Sequence, residues 1–218
     1  MIEQKRGFFF TFEGIDGCGK STQLELSSRA LKAKGFDCVV TREPGGTPIS
    51  TKIRELLLSP DNKEMCMQTE CLLYMAARAQ HVREVIVPAV DRGGIVLCDR
   101  FEQATFAYQG HGRGLSTEFL REINKFATGG QTPDLTFIFD ISVELSQKRL
   151  NSIGKGRDRL ESEGARFFEK VRQGYLNAAA ADPKKIVVLD GSKTVGELSE
   201  EVLDILCGYI ETGNKVIN

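Results

Sequence analysis

One short motif near the start of the chain limits the possible folds more than any other feature. Residues 14–21 read Gly-Ile-Asp-Gly-Cys-Gly-Lys-Ser, which fits the pattern G-x-x-x-x-G-K-[ST]. The run Phe-Phe-Phe-Thr-Phe-Glu before it is typical of a buried strand, and a helical pattern follows from about Lys20 to Lys34. A strand, a glycine-rich loop and a helix in this order indicate a phosphate-binding P-loop. The chain is therefore predicted to be an α/β protein that binds a nucleotide.

Each part of this loop has a physical role in holding phosphates. Glycines let backbone N–H groups point inward around the anion, and the amino terminus of the following helix adds positive potential. Lys20 is expected to reach the β- and γ-phosphates, and Ser21 to ligate Mg²⁺. The residues predicted to bind ATP are Gly14, Ile15, Asp16, Gly17, Cys18, Gly19, Lys20, Ser21 and Thr22.

Strand-like apolar runs alternate with helical patterns along the rest of the chain. Five β-rich runs joined by helices predict a parallel sheet with helices on both faces, and ligands beyond the carboxyl ends of the strands. One long helix is expected from about Thr69 to Val90, whereas the stretch DRFEQATFAYQG after the third strand is read as a loop. A length of 218 residues suits a single domain covering residues 1–218.

Composition excludes several classes of protein. A formal net charge of −1 disfavours a nucleic-acid-binding surface. No apolar run is long enough for a signal peptide or a membrane span, so no membrane partner is expected. The six cysteines include no C-x-x-C pair, which favours reduced thiols in a cytoplasmic protein.

A P-loop indicates a nucleotide site but leaves the reaction open among a GTPase switch, an ATPase and a small-molecule kinase. A GTPase is expected to carry an N/T-K-x-D motif for guanine, and the runs NKEM, NKFA and TKIR all lack the final Asp. The run DRGG at Asp91 fits D-x-x-G, but it precedes its strand instead of following one. These absences argue against a GTPase switch.

Tyr74 and Arg78 are four residues apart on the long predicted helix and therefore share one face. An aromatic ring with an arginine one turn away can stack on a base and hold a phosphate. The alternative is a core tyrosine and a surface arginine, and spacing alone favours this alternative.

Several motifs taken together resemble one enzyme family. The P-loop, TREPGGT, LLYMAAR, DRFEQATFAYQG, PDLT and DRLE follow one another between Phe8 and about Tyr175. In this order they are similar to the motifs of bacterial thymidylate kinases. The resemblance implies a nucleoside-monophosphate-kinase fold with a mobile lid at about residues 151–163. It also implies transfer of the ATP γ-phosphate to dTMP, which gives dTDP for dTTP and DNA synthesis, with Mg²⁺ and a homodimer packed through helices.

The resemblance assigns roles around the transferred phosphate. Arg54 matches an arginine that grips the dTMP phosphate, and Arg100 matches one that lies between the two phosphate sites. Asp99 resembles an acid that supports Mg²⁺ through water. Glu43 resembles a polar contact on the acceptor side. Asp16 matches an acid that approaches the 3′-hydroxyl of dTMP.

Other matched positions surround the nucleoside. Tyr74 matches an aromatic ring that stacks on thymine, and Arg78 an arginine near the base edge and phosphate. Thr105 and Gln109 occupy positions near the thymine edge. Tyr108 matches a tyrosine placed against C2′, where a ribose hydroxyl would clash, so it should favour deoxyribose.

One position departs from the family pattern. Ala104 stands where these kinases usually have Ser, and alanine has no side-chain hydrogen bond to offer. Base selectivity should then depend more on Thr105, Gln109 and Arg78. Loss of one neutral hydrogen bond costs about 1 kcal/mol, which is too little to change the family assignment.

The segment from about residue 151 to 163 is rich in glycine and basic residues. A solvated loop is the ordinary interpretation, and a lid that brings cations to the γ-phosphoryl group is the functional one. Some relatives carry an arginine in the P-loop where this chain has Gly17. The hypothesis is that Arg157 or Arg159 replaces it, acting with Lys20 and Arg100 as the catalytic cations.

Two other functions stay open at this point. The first is a related kinase that acts on dUMP, dCMP or a deoxynucleoside. The second is a nucleotide-binding regulator without catalytic activity, which would bind ATP but show no acceptor-dependent release of ADP.

Overall fold

Five strands form one parallel sheet, as the sequence predicts. The structure, a computed structural model, describes residues 6–153, 159–161 and 163–213. The strands are β1 (Phe8–Glu13), β2 (Cys38–Arg42), β3 (Ile95–Asp99), β4 (Leu135–Asp140) and β5 (Ile186–Asp190). Their order in the sheet is β2-β3-β1-β4-β5, and every pairing is parallel. The predicted α/β fold with a five-stranded parallel sheet is confirmed.

Helices flank the sheet. They are α1 (Lys20–Ala33), α2 (Pro48–Leu58), α3 (Met67–His81), α4 (Val87–Asp91), α5 (Glu102–Thr105), α6 (Thr117–Thr128), α7 (Val143–Ile153), α8 (Ala165–Ala181) and α9 (Val195–Thr212). Among the residues that the structure describes, no helix combines the length and apolar character that crossing a membrane requires.

Side chains of β1 alternate between two apolar clusters. Phe10 and Phe12 belong to the larger cluster, and Phe10 packs edge-on against Tyr209 of α9 with ring centroids 5.6 Å apart. Phe9 points to the other side and packs edge-on against Phe101 at 4.9 Å. Since successive strand residues face opposite sides, both faces of this central strand are buried, as expected for a parallel sheet between helices.

The predicted long helix from Thr69 to Val90 is interrupted. A π-helical turn covers Val82–Ile86 and separates α3 from α4. Pro88, near the start of α4, has no N–H group, and its ring crowds the preceding turn. This provides the physical reason for the irregular turn, which a hydrophobic pattern does not reveal.

The stretch after β3 is helical, and its prediction as a loop is wrong. It forms α5 and then a π-helical turn, Phe106–Gly112. The π-helical turn packs closely against α8, and Gly112 lies so near Phe167 that a Cβ would approach its ring to 2.7 Å. Tertiary packing therefore fixes this segment, which holds Thr105, Tyr108 and Gln109.

The strand order places three loops side by side. Because β3 lies between β2 and β1, the residues that follow these three strands meet at one edge of the sheet. They are Glu43 after β2, Arg100 after β3 and the P-loop after β1.

Candidate active site

The loop after β1 has the backbone geometry of a phosphate cradle. Gly14, Gly17 and Gly19 have φ angles of 134°, 77° and 94°, in the region that favours glycine. A Cβ at Gly14 would lie 2.6 Å from the carbonyl oxygen of Phe139. The helix α1 begins directly after the loop at Lys20, so its positive end faces the same space. This arrangement can bind an anion through backbone N–H groups.

The predicted ATP-binding residues differ in whether their side chains are accessible to a nucleotide. The side chains of Ile15 and Cys18 are buried in the core, so only their backbone groups can face a nucleotide. Ser21 and Thr22 are exposed on the first turn of α1.

The two residues predicted to support a metal ion are in contact. Ser21 Oγ donates a hydrogen bond of 2.6 Å to Asp99 Oδ2. The other oxygen, Asp99 Oδ1, is buried and has no hydrogen-bond partner among the described residues. Hard oxygen ligands of this kind suit Mg²⁺, which is usually held by few protein groups together with nucleotide phosphates. The residues present therefore fit the ion.

Asp16 joins the P-loop lysine to the arginine after β3. Its Oδ1 lies 3.2 Å from Lys20 Nζ and 2.8 Å from Arg100 NH2. Burial opposes ionisation of Asp16, but the charges of Arg100 and Lys20 outweigh it and hold the pKa of the carboxyl well below its usual range. Asp16 is thus an anion at neutral pH that keeps two cations close together.

One cavity collects every residue that the resemblance assigns to dTMP. Pro44, Leu58, Phe101, Ala104 and Leu160 complete its wall. The predicted residues in the wall are Asp16, Glu43, Arg54, Tyr74, Arg78, Arg100, Thr105, Tyr108 and Gln109. Asp16 belongs both to this wall and to the P-loop, so the cavity opens onto the phosphate cradle.

Most N–H groups of the Arg78 guanidinium donate hydrogen bonds within the protein. Its Nε donates to Glu43 at 2.7 Å, NH2 donates to the carbonyl oxygen of Phe101, and NH1 donates to both Thr105 and Asn124. A guanidinium has five N–H groups, so at most one remains for a ligand. That suits a contact with a base edge better than a two-point grip on a phosphate.

Glu43 is held from a second side. Its Oε1 lies 2.9 Å from His81 Nδ1, and Nε2 of the same ring lies 2.6 Å from Thr41 Oγ1. His81 is completely buried. Both ring nitrogens are engaged by the protein, so this histidine supports Glu43 and Arg78 and does not face the cavity.

Arg100 has a backbone conformation that is rare for a side chain of its size, with a φ of 70°. Its NH1 donates to Tyr175 Oη at 3.1 Å, and that hydroxyl donates to Glu13 Oε2 at 3.0 Å. The other oxygen of Glu13 accepts the N–H of Phe101 at 2.7 Å. Glu13 therefore fixes both the backbone and the side chain around Arg100.

Glu13 is completely buried at the end of β1. Burial raises its pKa to about 7, although Arg100 and the hydrogen bonds from Phe101 and Tyr175 act in the opposite direction. Glu13 and Tyr175 are site residues that were not predicted from the sequence. Glu13 ends a run of phenylalanines, and a charge at the end of a buried strand needs partners. This position could therefore have marked Glu13 as a residue with a role in the site.

The helix α5 and the π-helical turn supply another part of the cavity wall. Tyr108 is buried, and the guanidinium carbon of Arg100 lies 5.1 Å from the centre of its ring. Ala104, which departs from the family pattern, directs its backbone N–H to Glu13 Oε1 at 3.3 Å. Its methyl group lines the cavity, where a serine would place a hydroxyl.

Arg54 and Tyr74 enter the cavity from α2 and α3. Arg54 NH1 donates to the carbonyl oxygen of Pro44 at 3.0 Å. Tyr74 is half-buried, and burial raises the pKa of its hydroxyl well above the usual range, so the ring is neutral. A neutral ring in a cavity wall is suited to stacking on a base.

Of the two candidate lid arginines, the structure describes only Arg159. Arg157 lies outside the described residues, as does Lys155. Arg159 lies on the acceptor side, where NH2 is 2.6 Å from Glu70 Oε2 and Nε donates to the carbonyl oxygen of Leu57. In this arrangement Arg159 is held against α2 and α3, beside the acceptor cavity.

A further arginine beside the P-loop was missed from the sequence. Arg149 NH1, on α7, donates to the carbonyl oxygens of Gly17 and Gly191, at 3.1 and 3.0 Å. Ser146, one turn earlier, donates to the carbonyl oxygen of Asp16 at 2.7 Å. Arg149 and Ser146 thus hold the P-loop although they lie more than a hundred residues from it in the sequence. A local sequence pattern does not reveal such contacts.

Comparison with known proteins agrees with this geometry. The family model described as Thymidylate kinase matches residues 12–202. A thymidylate kinase of Pseudomonas putida (strain GB-1) is 47% identical over 205 residues, covering 94% of this chain and 97% of that protein. One of Exiguobacterium sp. (strain ATCC BAA-1283 / AT1b) is 47% identical over 207 residues, with 95% and 97% covered. One of Geobacter sp. (strain M21) is 51% identical, with 90% and 91% covered. The chain belongs to the thymidylate kinase family.

Proposed function

We propose that the protein transfers the γ-phosphate of ATP to dTMP and releases ADP and dTDP, a step toward dTTP for DNA synthesis. The observation that carries this proposal is the shared position of Asp16. It belongs to the phosphate cradle and also to the wall of the cavity that holds all the residues matched to dTMP. A donor in the cradle and an acceptor in the cavity would meet there.

Alignment and charge neutralisation are sufficient for this reaction. The acceptor is a phosphate monoester whose second pKa is about 6, so it is ionised at neutral pH and needs no strong general base. Lys20 and Arg100 both place positive charge beside Asp16. Preorganised cations of this kind stabilise the charge that develops on the transferred group.

Mg²⁺ is part of the proposal, with Ser21 as ligand and Asp99 as support through water. When bound, the ion would neutralise charge on the donor phosphates. The protein contributes the hydrogen bond from Ser21 to Asp99, which holds the hydroxyl and the carboxylate together at the start of α1.

We place the last positive charge on the lid, at about residues 151–163 of a single domain. Arg157 is the stronger candidate for the γ-phosphate, because Arg159 is bound to Glu70 and to the carbonyl oxygen of Leu57. Arg159 would have to break both contacts to reach the donor.

Selection of the acceptor is assigned to the cavity wall. Tyr74 stacks on the base, and Tyr108 lies against C2′ and disfavours a ribose hydroxyl. Arg78 contributes its one remaining N–H to the base edge, Thr105 and Gln109 contribute hydrogen bonds, and Arg54 binds the acceptor phosphate.

We further propose a cytoplasmic homodimer that has no nucleic-acid or membrane partner. Two phenylalanines on α6 support the dimer, because they lie seven residues apart on one helical face. Phe126 is 91% exposed and Phe119 is 46% exposed, which is costly for a face left in water. Light scattering on wild type and Phe126→Ser tests this: the variant should shift toward monomer, and a monomeric wild type would contradict the proposal.

A coupled assay for ADP with a panel of acceptors tests the reaction. With ATP and Mg²⁺ present, dTMP should be preferred over dUMP, dCMP and deoxythymidine, and ADP release should depend on the acceptor. Preference for another acceptor would favour the related kinase. ATP binding without acceptor-dependent ADP would favour a regulator, and Lys20→Met is the inactive control.

A further inference from the structure

A buried carboxylate without an assigned role lies beside the acceptor cavity. Glu70 is in the first turn of α3 and is only 1% exposed. Its Oε1 accepts from Gln109 Nε2 at 3.0 Å and from Arg113 Nε at 3.3 Å. Its Oε2 lies 3.2 Å from Arg113 NH2 and 2.6 Å from Arg159 NH2. One carboxylate thus joins α3, the π-helical turn and Arg159.

Glu70 is ionised, and this fixes the orientation of its amide partner. Burial opposes ionisation, but hydrogen bonds from Arg113 and Gln109 together with the nearby arginine charges keep its pKa below the usual range. An ionised carboxylate only accepts hydrogen bonds. Gln109 must therefore turn its NH₂ group toward Glu70. The side-chain carbonyl oxygen of Gln109 then points away from Glu70.

We propose that Glu70 is a positioning residue for base selection, which it exerts by fixing the Gln109 amide with its carbonyl oxygen toward the base. Gln109 lines the cavity, so that oxygen can accept the N3–H of a thymine-type ring. A cytosine-type ring has a lone pair at N3, and two acceptors facing each other repel. The inference depends on the proposed function, since it concerns the acceptor of that reaction.

Arg113 also has contacts that do not involve Glu70 or Gln109. Arg113 NH1 also contacts Glu163 Oε1 at 2.5 Å, and its guanidinium carbon lies 4.8 Å from the centre of the Phe167 ring. Two arginines and two carboxylates balance in charge around Glu70. A site that requires a hydrogen-bond partner can reject an analogue lacking it far more strongly than a shape-fitting site can.

Steady-state kinetics on Glu70→Gln and Glu163→Gln tests the proposal. The readout is the ratio of the Ki of dCMP, as a competitor of dTMP, to the KM of dTMP. Glu70→Gln keeps the shape but lets the Gln109 amide turn, so the ratio should fall at least tenfold while the KM of ATP stays within twofold. Glu163→Gln removes the other carboxylate on Arg113 and should leave the ratio within twofold.

A second pair of variants separates orientation from mere folding. Gln109→Met should lower the ratio to a similar extent, and adding Glu70→Gln to it should cause no further loss. If circular dichroism shows that Glu70→Gln is unfolded, Glu70→Asp is the substitute variant. It keeps the negative charge but moves the carboxylate away from the Gln109 amide, so it should also lower the ratio. A ratio within threefold of wild type in a folded Glu70 variant would overturn the inference. Failure of the wild type to phosphorylate dTMP would instead overturn the proposed function.

Discussion

Replacing Glu13 with glutamine is expected to remove a large pH-dependent component of stability between about pH 5 and pH 8. Glu13 is completely buried, and its pKa of about 7 lies above the value of 4.5 for an unperturbed glutamate. Between these values the folded protein keeps a proton that the unfolded chain has lost. The free energy of unfolding therefore falls as pH rises, by up to about 1.4 kcal/mol for each pH unit.

The size of the effect follows from the same shift. The contribution of Glu13 is fully present below about pH 4.5 and is lost as the pH passes about 7. The whole loss is about 3 kcal/mol. Glutamine resembles the protonated acid in shape, and its carbonyl oxygen can still accept the N–H of Phe101. Glu13→Gln should therefore be nearly as stable as wild type at about pH 5 and more stable at about pH 8.

Urea unfolding followed by far-ultraviolet circular dichroism measures this difference, since the chain has no tryptophan for a fluorescence signal. Glu64→Gln, a change at an exposed acid, is the matched control and should keep the wild-type pH dependence. If the free energy of unfolding changes with pH in the same way for wild type and Glu13→Gln, burial does not raise the pKa of Glu13.

The remaining predictions concern the charged groups of the site. Arg78→Met should destabilise the protein by about 3–5 kcal/mol, measured by urea unfolding, because it leaves the buried Glu43 without its cation. Asp16→Asn should raise the KM of dTMP more than the KM of ATP, and the reverse ranking would contradict its place on the acceptor side. Arg157→Ala should lower kcat at least tenfold, about 1.4 kcal/mol, whereas Arg159→Ala should act mainly on the KM of dTMP. If neither variant lowers kcat tenfold, the hypothesis of a catalytic lid cation is wrong.

Much of the fold was predictable from the sequence because its signals are local. The P-loop needs glycines at φ values that other residues avoid, and the strand before it and the helix after it are adjacent in the chain. Five apolar runs that alternate with helical patterns predicted the parallel sheet. The helical conformation of residues 102–112 was missed because packing against α8 determines it, and its own sequence has no clear helical period.

The supporting groups of the site could not be predicted in the same way. Glu13 and Tyr175 are 162 residues apart, and Gln109 is 39 residues from Glu70. Their partners are set by how helices pack beside the carboxyl ends of the strands, which a linear pattern does not encode. Resemblance supplied the residues that line the cavity, whereas the buried acids that hold them were found only in the three-dimensional structure.

In the proposed reaction, a phosphoryl group passes from ATP to dTMP where the P-loop meets the acceptor cavity. A single-turnover experiment with ATP labelled in its γ-phosphate, Mg²⁺ and dTMP tests it most directly. The label should appear in dTDP, only when dTMP is present, and it should be lost with Lys20→Met. Label appearing as inorganic phosphate at the same rate with or without dTMP would contradict the account.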